Sequence, residues 1–188
     1  MKDSYKKQYE EIAKPALKKQ FKYSNDLSVP RIQKVVINIG IGRILAGAKN
    51  SEETLKHLSE NLALITGQQP AIRPSRTSIS NFKVRQGMPV GLKVTLRGKR
   101  MEDFIYKFIN IVLPRVRDFW GLALKNIDEK GNLSYGIKDC SVFPEISKDN
   151  LALTTGLEIT FVVKARNREE SIELFKNLQI RGRLINKF

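Results

Sequence analysis

The sequence has little of the side-chain chemistry on which most metalloproteins and secreted proteins depend. Its 188 residues include one cysteine, Cys140, and one histidine, His57. A single cysteine excludes a disulfide within the chain, and a single histidine beside it excludes a zinc site built from cysteine and histidine ligands. The sequence therefore predicts a protein of a reducing compartment that needs no cofactor.

The sequence also lacks a long apolar run. No segment approaches the roughly 20 apolar residues that a transmembrane helix needs, and the first residues contain no apolar stretch of signal-peptide length. The acidic residues Asp3, Glu10 and Glu11 argue against a transit peptide. We therefore expect a soluble protein with no membrane partner and no targeting segment.

Acidic residues are missing altogether from residues 66–101. This segment contains eight lysines and arginines, and its seven glycines and prolines exclude one long helix. The pattern predicts a strand, a long basic loop and a second strand. Hydroxyl and amide side chains and the ring of Phe82 lie among the cations, a mixture suited to polyanions. The alternative is a charged surface loop without a ligand.

The composition of the whole chain favours a folded nucleic-acid-binding protein. Hydrophobic residues make up 41% of the chain, enough for a core, so the sequence predicts a single domain over residues 1–188. A basic helix is expected within residues 1–24 and a basic tail over 180–188. The 34 basic and 19 acidic residues give a net charge of +15, which attracts nucleic acid.

Hydrophobic periodicity predicts an α+β fold with helices on one face of a sheet and an open face on the other. Strands are expected over residues 34–42, 91–98 and 157–164, and helices over 5–21, 50–66, 101–112 and 167–179. Alternation places Asn38, Gly40 and Gly42 on the solvent side of the first strand. The same rule places Lys93, Thr95 and Arg97 on the solvent side of the second. Together these six residues predict a flat, polar and cationic surface.

An enzyme is the competing hypothesis. Gly40 and Gly42 follow a strand, as in a dinucleotide-binding turn, but the next glycine, Gly47, lies too far along for the usual spacing. No acidic residue follows where a ribose would need one, and no pair of carboxylates has a spacing that places both in one site. The residues favour an RNA-binding module.

Six ordered blocks resemble the large-subunit ribosomal protein five family of the bacterial type. They are VINIGIG (36–42), ITGQQP (65–70), NFKVRQGMPVGLKVTLRGKRM (81–101), LPRVRDFWG (113–121), KGNLSYGIK (130–138) and VFPEI (142–146). The chain departs from the usual family pattern at Trp120, Ile127, Glu129 and the tail that begins at Arg181. These departures indicate a diverged lineage.

The resemblance implies an antiparallel sheet and a structural role in the ribosome of a bacterial cytoplasm or of an organelle that encodes the protein. The implied partners are 5S rRNA in the central protuberance, large-subunit rRNA, peptidyl-site tRNA and neighbouring ribosomal proteins, including one of the small-subunit head. On the open face, the positions that match the family's 5S rRNA contacts are Asn38, Gly40, Gly42, Gln68 and Thr95, with charge added by Lys93 and Arg97. The loop that would reach tRNA carries Arg73, Arg76, Thr77, Ser78, Phe82, Lys83 and Arg85.

Overall fold

The computed structural model describes residues 5–48, 50–82, 84–117, 121, 123–146 and 155–178. These residues confirm the α+β fold, with an antiparallel sheet of five strands and helices packed alongside it. The strands lie in the order β2-β3-β1-β5-β4. Their bounds are β1 (Arg31–Gly40), β2 (Ala71–Pro74), β3 (Pro89–Leu96), β4 (Leu133–Ile137) and β5 (Leu157–Lys164).

The four predicted helices lie close to where periodicity places them, and further short helices are present. The bounds are α1 (Tyr5–Gln8), α2 (Lys14–Phe21), α3 (Gly42–Gly47), α4 (Ser51–Thr66), α5 (Gly98–Lys107), α6 (Leu113–Arg115) and α7 (Arg168–Asn177). The additional helices are α3 and α6. The last helix is expected to continue through Gln179, but that residue and the basic tail at 180–188 lie outside the described residues. None of the described helices is long and apolar enough to cross a membrane.

The contacts within the chain group its residues into two compact units. The first draws on Met1–Val35, Leu96–Tyr135 and Thr160–Phe188, and the second on Val36–Thr95 and Gly136–Ile159. The boundary between them falls within strands β1, β3, β4 and β5. The single domain expected from the sequence stays a prediction.

Aromatic rings fill the core of the first unit. The Phe108 ring centroid lies 5.4 Å from that of Phe161, and the Phe161 centroid lies 6.5 Å from that of Phe175. All three side chains are at most 1% exposed. They bring α7 and the helical turn that follows α5 against β5. These phenylalanines therefore serve packing, as the helical spacing of Phe104 and Phe108 predicts.

Aliphatic side chains fill the core of the second unit. On α4, Leu58, Leu62 and Ile65 are at most 2% exposed. This helix begins at Asn50, whose side chain accepts a hydrogen bond from the backbone N–H of Glu53, as the capping pattern predicts. It ends at Gly67, which has the left-handed φ of +65° that a terminating glycine adopts.

Two prolines lie inside helical stretches, and each follows a π-helical turn. Pro15 follows the turn Tyr9–Ala13, and Pro114 follows the turn Phe108–Val112. A proline ring in an α-helix clashes with the carbonyl of the preceding turn, and a π turn is wider than an α turn. From the sequence, Pro114 either ends the preceding helix or starts a short second segment. The widened turn explains how the helical chain continues through Pro114 to the end of α6.

Two elements were not predicted from the sequence, and glycine obscures both. Strand β4 contains Gly136, and α3 begins and ends with glycine. Glycine is a poor former of both strands and helices, so a short element that contains it gives almost no periodic signal.

Before β4, the Asp128 carboxylate accepts hydrogen bonds from the backbone N–H and side-chain amide of Asn132, at 2.7 and 2.8 Å. This turn is what directs the chain into β4.

Two ion pairs join α2 to the turn that follows it. The Asp26 carboxylate lies 2.7 Å from the Nζ atom of Lys18 and 3.0 Å from that of Lys14. Hydrogen bonds from Lys18 and Lys14 lower the pKa of Asp26 to about 2. Because the folded-state pKa is depressed, the stabilisation is present above the ordinary aspartate pKa and is lost as the pH falls towards 2. All three groups are in contact with solvent, so salt screens this contribution.

We predict that Gly131→Ala destabilises the protein far more than Gly87→Ala. Both glycines have a left-handed φ, +83° and +84°, so both substitutions carry the roughly 1–2 kcal/mol strain of that conformation. A Cβ atom on Gly131 would also lie 2.8 Å from the Cβ atom of Ser171, which rotation of the serine side chain cannot move away, whereas one on Gly87 meets no atom within 4 Å. We expect an additional loss of about 1–3 kcal/mol for Gly131→Ala, measured by urea unfolding. Equal losses in the two variants would contradict this packing argument.

Candidate nucleic-acid interface

Strands β1, β2 and β3 of the second unit present one continuous polar face. The register of β2 on β3 places Arg73 opposite Gly91 and Ala71 opposite Lys93, and paired residues project to the same side of a sheet. A Cβ atom on Gly91 would lie 3.8 Å from the Cβ atom of Arg73 and 3.9 Å from the Oδ1 atom of Asn38. With the alternate positions of β1 and β3 added, the polar sheet face consists of Asn38, Gly40, Arg73, Gly91, Lys93 and Thr95.

The two sides of these strands differ sharply in burial. On the opposite side of β1 and β3, Ile37, Leu92 and Val94 are at most 1% exposed. On the polar sheet face, Asn38 and Gly40 are exposed, and Lys93 and Thr95 are half-buried. A Cβ atom on Gly40 would meet no atom within 4 Å. Gly91 is buried between its neighbours, so the face is accessible at its other positions, and at Gly40 a ligand can approach the backbone itself.

Gly91 belongs to this face, and sequence reasoning missed it. In the sequence this glycine is only one of several that interrupt the basic segment. A Cβ atom there would lie 3.4 Å from the carbonyl oxygen of Ile39, at the edge of ordinary contact. Gly91 keeps the surface between Arg73 and Asn38 flat. Its alternation with Lys93 and Thr95 is the signal that could have found it.

Gln68 is held by the residue two positions before it. Thr66 is 5% exposed, and its hydroxyl group donates to the Leu62 carbonyl oxygen at 2.7 Å. The same Oγ1 atom lies 3.0 Å from the Gln68 carbonyl oxygen and accepts from the Gln68 backbone N–H at 3.4 Å. Thr66 was not predicted as a site residue, and it positions Gln68, which is half-buried.

The predicted basic loop is a hydrogen-bonded extension of the β2–β3 hairpin. Residues 75–88 form this arm. Near its base, the Ser75 N–H donates to the Met88 carbonyl at 2.8 Å, and the Gly87 N–H donates to the Ser75 carbonyl at 3.0 Å. Further out, Ile79 and Val84 pair through two backbone hydrogen bonds of 2.9 and 3.2 Å. The arm is therefore a defined structure of its own.

The arm presents polar and basic side chains to solvent. Arg76, Thr77, Ser78, Phe82 and Arg85 are exposed, and Lys83 lies outside the described residues. The Ser78 hydroxyl accepts from the Gln86 N–H at 2.9 Å, and the Ser75 hydroxyl donates to the Thr77 carbonyl at 2.7 Å. These hydroxyl groups fix the backbone of the arm, and Ser78 still has its hydrogen to donate to a ligand. A cavity of about 560 Å³ is lined by Ser78, Ser80, Val84 and Arg85.

Three predicted positions are placed differently by the structure. Arg73 was expected in the loop, but it belongs to strand β2 and to the polar sheet face. Gly42 was expected in the first strand, but it is the first residue of α3, and a Cβ atom there would lie 3.6 Å from the Cγ1 atom of Val90. Val90 alternates with Gly91, so Gly42 lies on the other side of β3 from Asn38.

Arg97 is the third position. It lies beyond the end of β3, immediately before α5, and it belongs to the first unit. Strand alternation therefore does not extend to it. The contacts of Gly42 and Arg97 with RNA stay predictions.

Among the residues that the structure describes, the cations of this region have no acidic partner. Arg73, Arg76, Arg85 and Lys93 form no ion pair with any residue that the structure describes. The acid-free composition of residues 66–101 explains why no carboxylate of the segment reaches them. Over the same described ranges, no cluster of histidine, cysteine, aspartate and glutamate side chains could hold a metal ion. The positive charge is therefore available to an anionic partner.

Comparison with known proteins agrees with this chemistry. Residues 25–85 match the family model described as Ribosomal protein L5, and residues 89–181 match a second model, that of the C-terminus of the same ribosomal family. A relative from Thermotoga sp., named Large ribosomal subunit protein uL5, is 50% identical over 173 residues, which cover 90% of this chain and 92% of the relative. A protein of the same name from Lactobacillus acidophilus is 47% identical over 167 residues, 89% of this chain and 91% of the relative.

We predict that Thr66→Val destabilises the protein by about 1–2 kcal/mol, because the part-buried N–H of Gln68 loses its partner. Thr54→Val is the matched control. The Thr54 hydroxyl also donates to a carbonyl four residues earlier in the chain, that of Asn50, at 2.8 Å, but this site is exposed to solvent. We expect a loss of at most about 0.5 kcal/mol for the control, measured by urea unfolding. Equal losses would show that the bond to Gln68 contributes nothing.

Proposed function

The chain belongs to the ribosomal protein L5 family, and from this we propose that its polar sheet face binds 5S rRNA and anchors it in the central protuberance. Membership makes the chain a structural protein of the large ribosomal subunit and not an enzyme. The observation that carries the proposal is the polar sheet face itself, in which glycines without side chains lie beside amide, hydroxyl and cationic groups.

The chemistry of the polar sheet face suits a sugar-phosphate backbone. Gly40, whose Cβ position has no atom within 4 Å, leaves room for the backbone of an RNA strand to lie against the sheet. The Asn38 amide can donate and accept hydrogen bonds, so it can pair with a ribose 2′-hydroxyl or a phosphate without reading a base. Arg73 and Lys93 supply positive charge beside it. Such a surface recognises the shape of a folded RNA.

We propose a second contact, in which the arm reaches peptidyl-site tRNA. The supporting observation is that the arm extends beyond the paired strands and carries exposed arginines that are not neutralised by the described residues. The exposed lysines of the N-terminal helices, Lys6, Lys7 and Lys19, suit large-subunit rRNA. Contacts with neighbouring proteins, including one of the small-subunit head, are further parts of the proposal.

The compartment follows from the ribosome in which the chain is assembled. The named relatives are bacterial, and they place the protein in the ribosome. We propose a bacterial cytoplasm or an organelle that encodes the protein, as the sequence predicts.

We predict that Gly40→Val abolishes most of the affinity for 5S rRNA while the fold is kept. The valine side chain has free space and a favourable strand conformation, so the variant should be as stable as the parent protein. It would hold an RNA backbone away from the sheet, and we expect at least a tenfold loss of affinity, about 1.4 kcal/mol. Titration with 5S rRNA, in the presence of tRNA as a competitor, measures this loss.

Gly136→Val on β4 is the matched control. Gly136 is also an exposed strand glycine with no atom within 4 Å of its Cβ position, but it is not one of the six residues of the polar sheet face. The control should bind 5S rRNA like the parent protein. Unchanged affinity in Gly40→Val would rule out the assigned face.

We predict that the double variant Arg76→Gln, Arg85→Gln separates the two RNA contacts. Its affinity for 5S rRNA should stay within about twofold, because neither residue belongs to the polar sheet face. Ribosomes assembled with it should bind peptidyl-site tRNA about tenfold more weakly, and the salt dependence should fall by roughly one ion for each phosphate that the arm no longer touches. Lys125→Gln with Lys130→Gln removes the same charge elsewhere and is the control. Equal losses for both RNAs would make the arm part of the 5S rRNA site.

A further inference from the structure

Phe82 differs from every other phenylalanine that the structure describes. Its side chain is 66% exposed, whereas Phe104, Phe108 and Phe143 are at most 3% exposed. Phe161 and Phe175 are buried as well, and Phe21 is half-buried. The protein therefore places most of these phenylalanines in its core and leaves this ring in water. Single exposed apolar side chains are common at protein surfaces, so the position of this ring within the basic arm is what distinguishes it.

The exposed ring lies on a hydrogen-bonded turn. Phe82 is the last residue of the 3-10 turn Ser80–Phe82, and its backbone N–H donates to the Ile79 carbonyl at 3.3 Å. The two hydrogen bonds between Ile79 and Val84 close the same turn. The arm thus presents the ring from a hydrogen-bonded turn, and a turn formed before binding lowers the entropy lost when a ligand packs against it.

The surroundings of the ring determine what kind of ligand can cover it. Arg76 and Arg85 precede and follow Phe82 in the arm and have no ion-pair partner among the described residues. Residues 66–101 contain no carboxylate side chain. An apolar protein partner would have to bury these cations without compensation. An RNA base offers a flat apolar face and brings phosphates of its own for the arginines.

We propose that Phe82 stacks on an unpaired base, so that the arm recognises nucleotides of an RNA loop and discriminates against duplex. In a duplex each base face is already covered by its neighbours, and only phosphates and groove edges remain for the protein. The arginines would attract either form of RNA, and the ring would select the unpaired one. This inference rests on the proposed role of the arm as an RNA contact.

The test uses the full-length protein and two model RNAs of equal length. One is a hairpin with 2-aminopurine in its loop, and the other is a fully paired duplex with 2-aminopurine at an internal position. We expect the parent protein to quench the fluorescence of the hairpin only. Phe82→Leu should remove the quenching and weaken hairpin binding about tenfold, with unchanged duplex binding. Phe82→Trp keeps a ring and should keep both properties.

The control variant removes charge and keeps the ring. Arg76→Gln should weaken hairpin and duplex binding by the same factor and leave the quenching at saturation unchanged. Thermal unfolding of each variant verifies the fold, which an exposed side chain should barely affect.

The possible outcomes separate this inference from the proposed function. If Arg76→Gln weakens RNA binding and Phe82→Leu binds the hairpin like the parent protein, the arm contacts RNA and the stacking proposal is overturned. If neither variant changes binding, both proposals fall, and the ring would then be a contact for a protein. Equal weakening of hairpin and duplex by Phe82→Leu would also overturn discrimination by the ring.

Discussion

The alternation of side chains along β1 and β3 is the constraint on which the second unit depends. Burying the apolar side chains of β3, such as Leu92 and Val94, contributes about 1.5–3 kcal/mol for each. A slip of one residue in the register would expose these side chains and bury Lys93, at a cost that no other contact could offset. The apolar core thus fixes which residues face outward. The polar sheet face is a consequence of the core on its other side.

The position of the arm also depends on this alternation, through the pairing of β2 with β3. Its base is the β2–β3 pairing, in which Ala71 lies opposite Lys93 and Arg73 opposite Gly91. Once that pairing is fixed, the arm extends the hairpin beyond the sheet. Backbone hydrogen bonds at the base of the arm and near its tip join its two sides. Two surfaces with different proposed RNA partners therefore share one hairpin. The first consists of side chains on the sheet, and the second of residues beyond its end.

Hydrophobic periodicity was sufficient to predict the regular strands and helices. It failed where glycine interrupts the pattern or where a residue's place depends on the register between strands. The strand ending at Lys164 and the helix ending before Gly67 follow from alternation, helical spacing and capping, all of which are local in sequence. Strand β4 was missed because Gly136 interrupts its pattern. The place of Gly91 on the polar sheet face could not be read from the chain, because it depends on which residues of separate strands lie side by side.

The pairing of Pro74 with Pro89 has a consequence for how this protein can change over generations. The backbone bonds that shape the arm join residues between 75 and 88, so insertions and deletions there leave the strands of the sheet untouched. The reach of the arm can therefore be lengthened or shortened at little cost to the sheet, while the residues that face Gly91 stay fixed. Selection could then tune the proposed contact of the arm and leave that of the polar sheet face as it was.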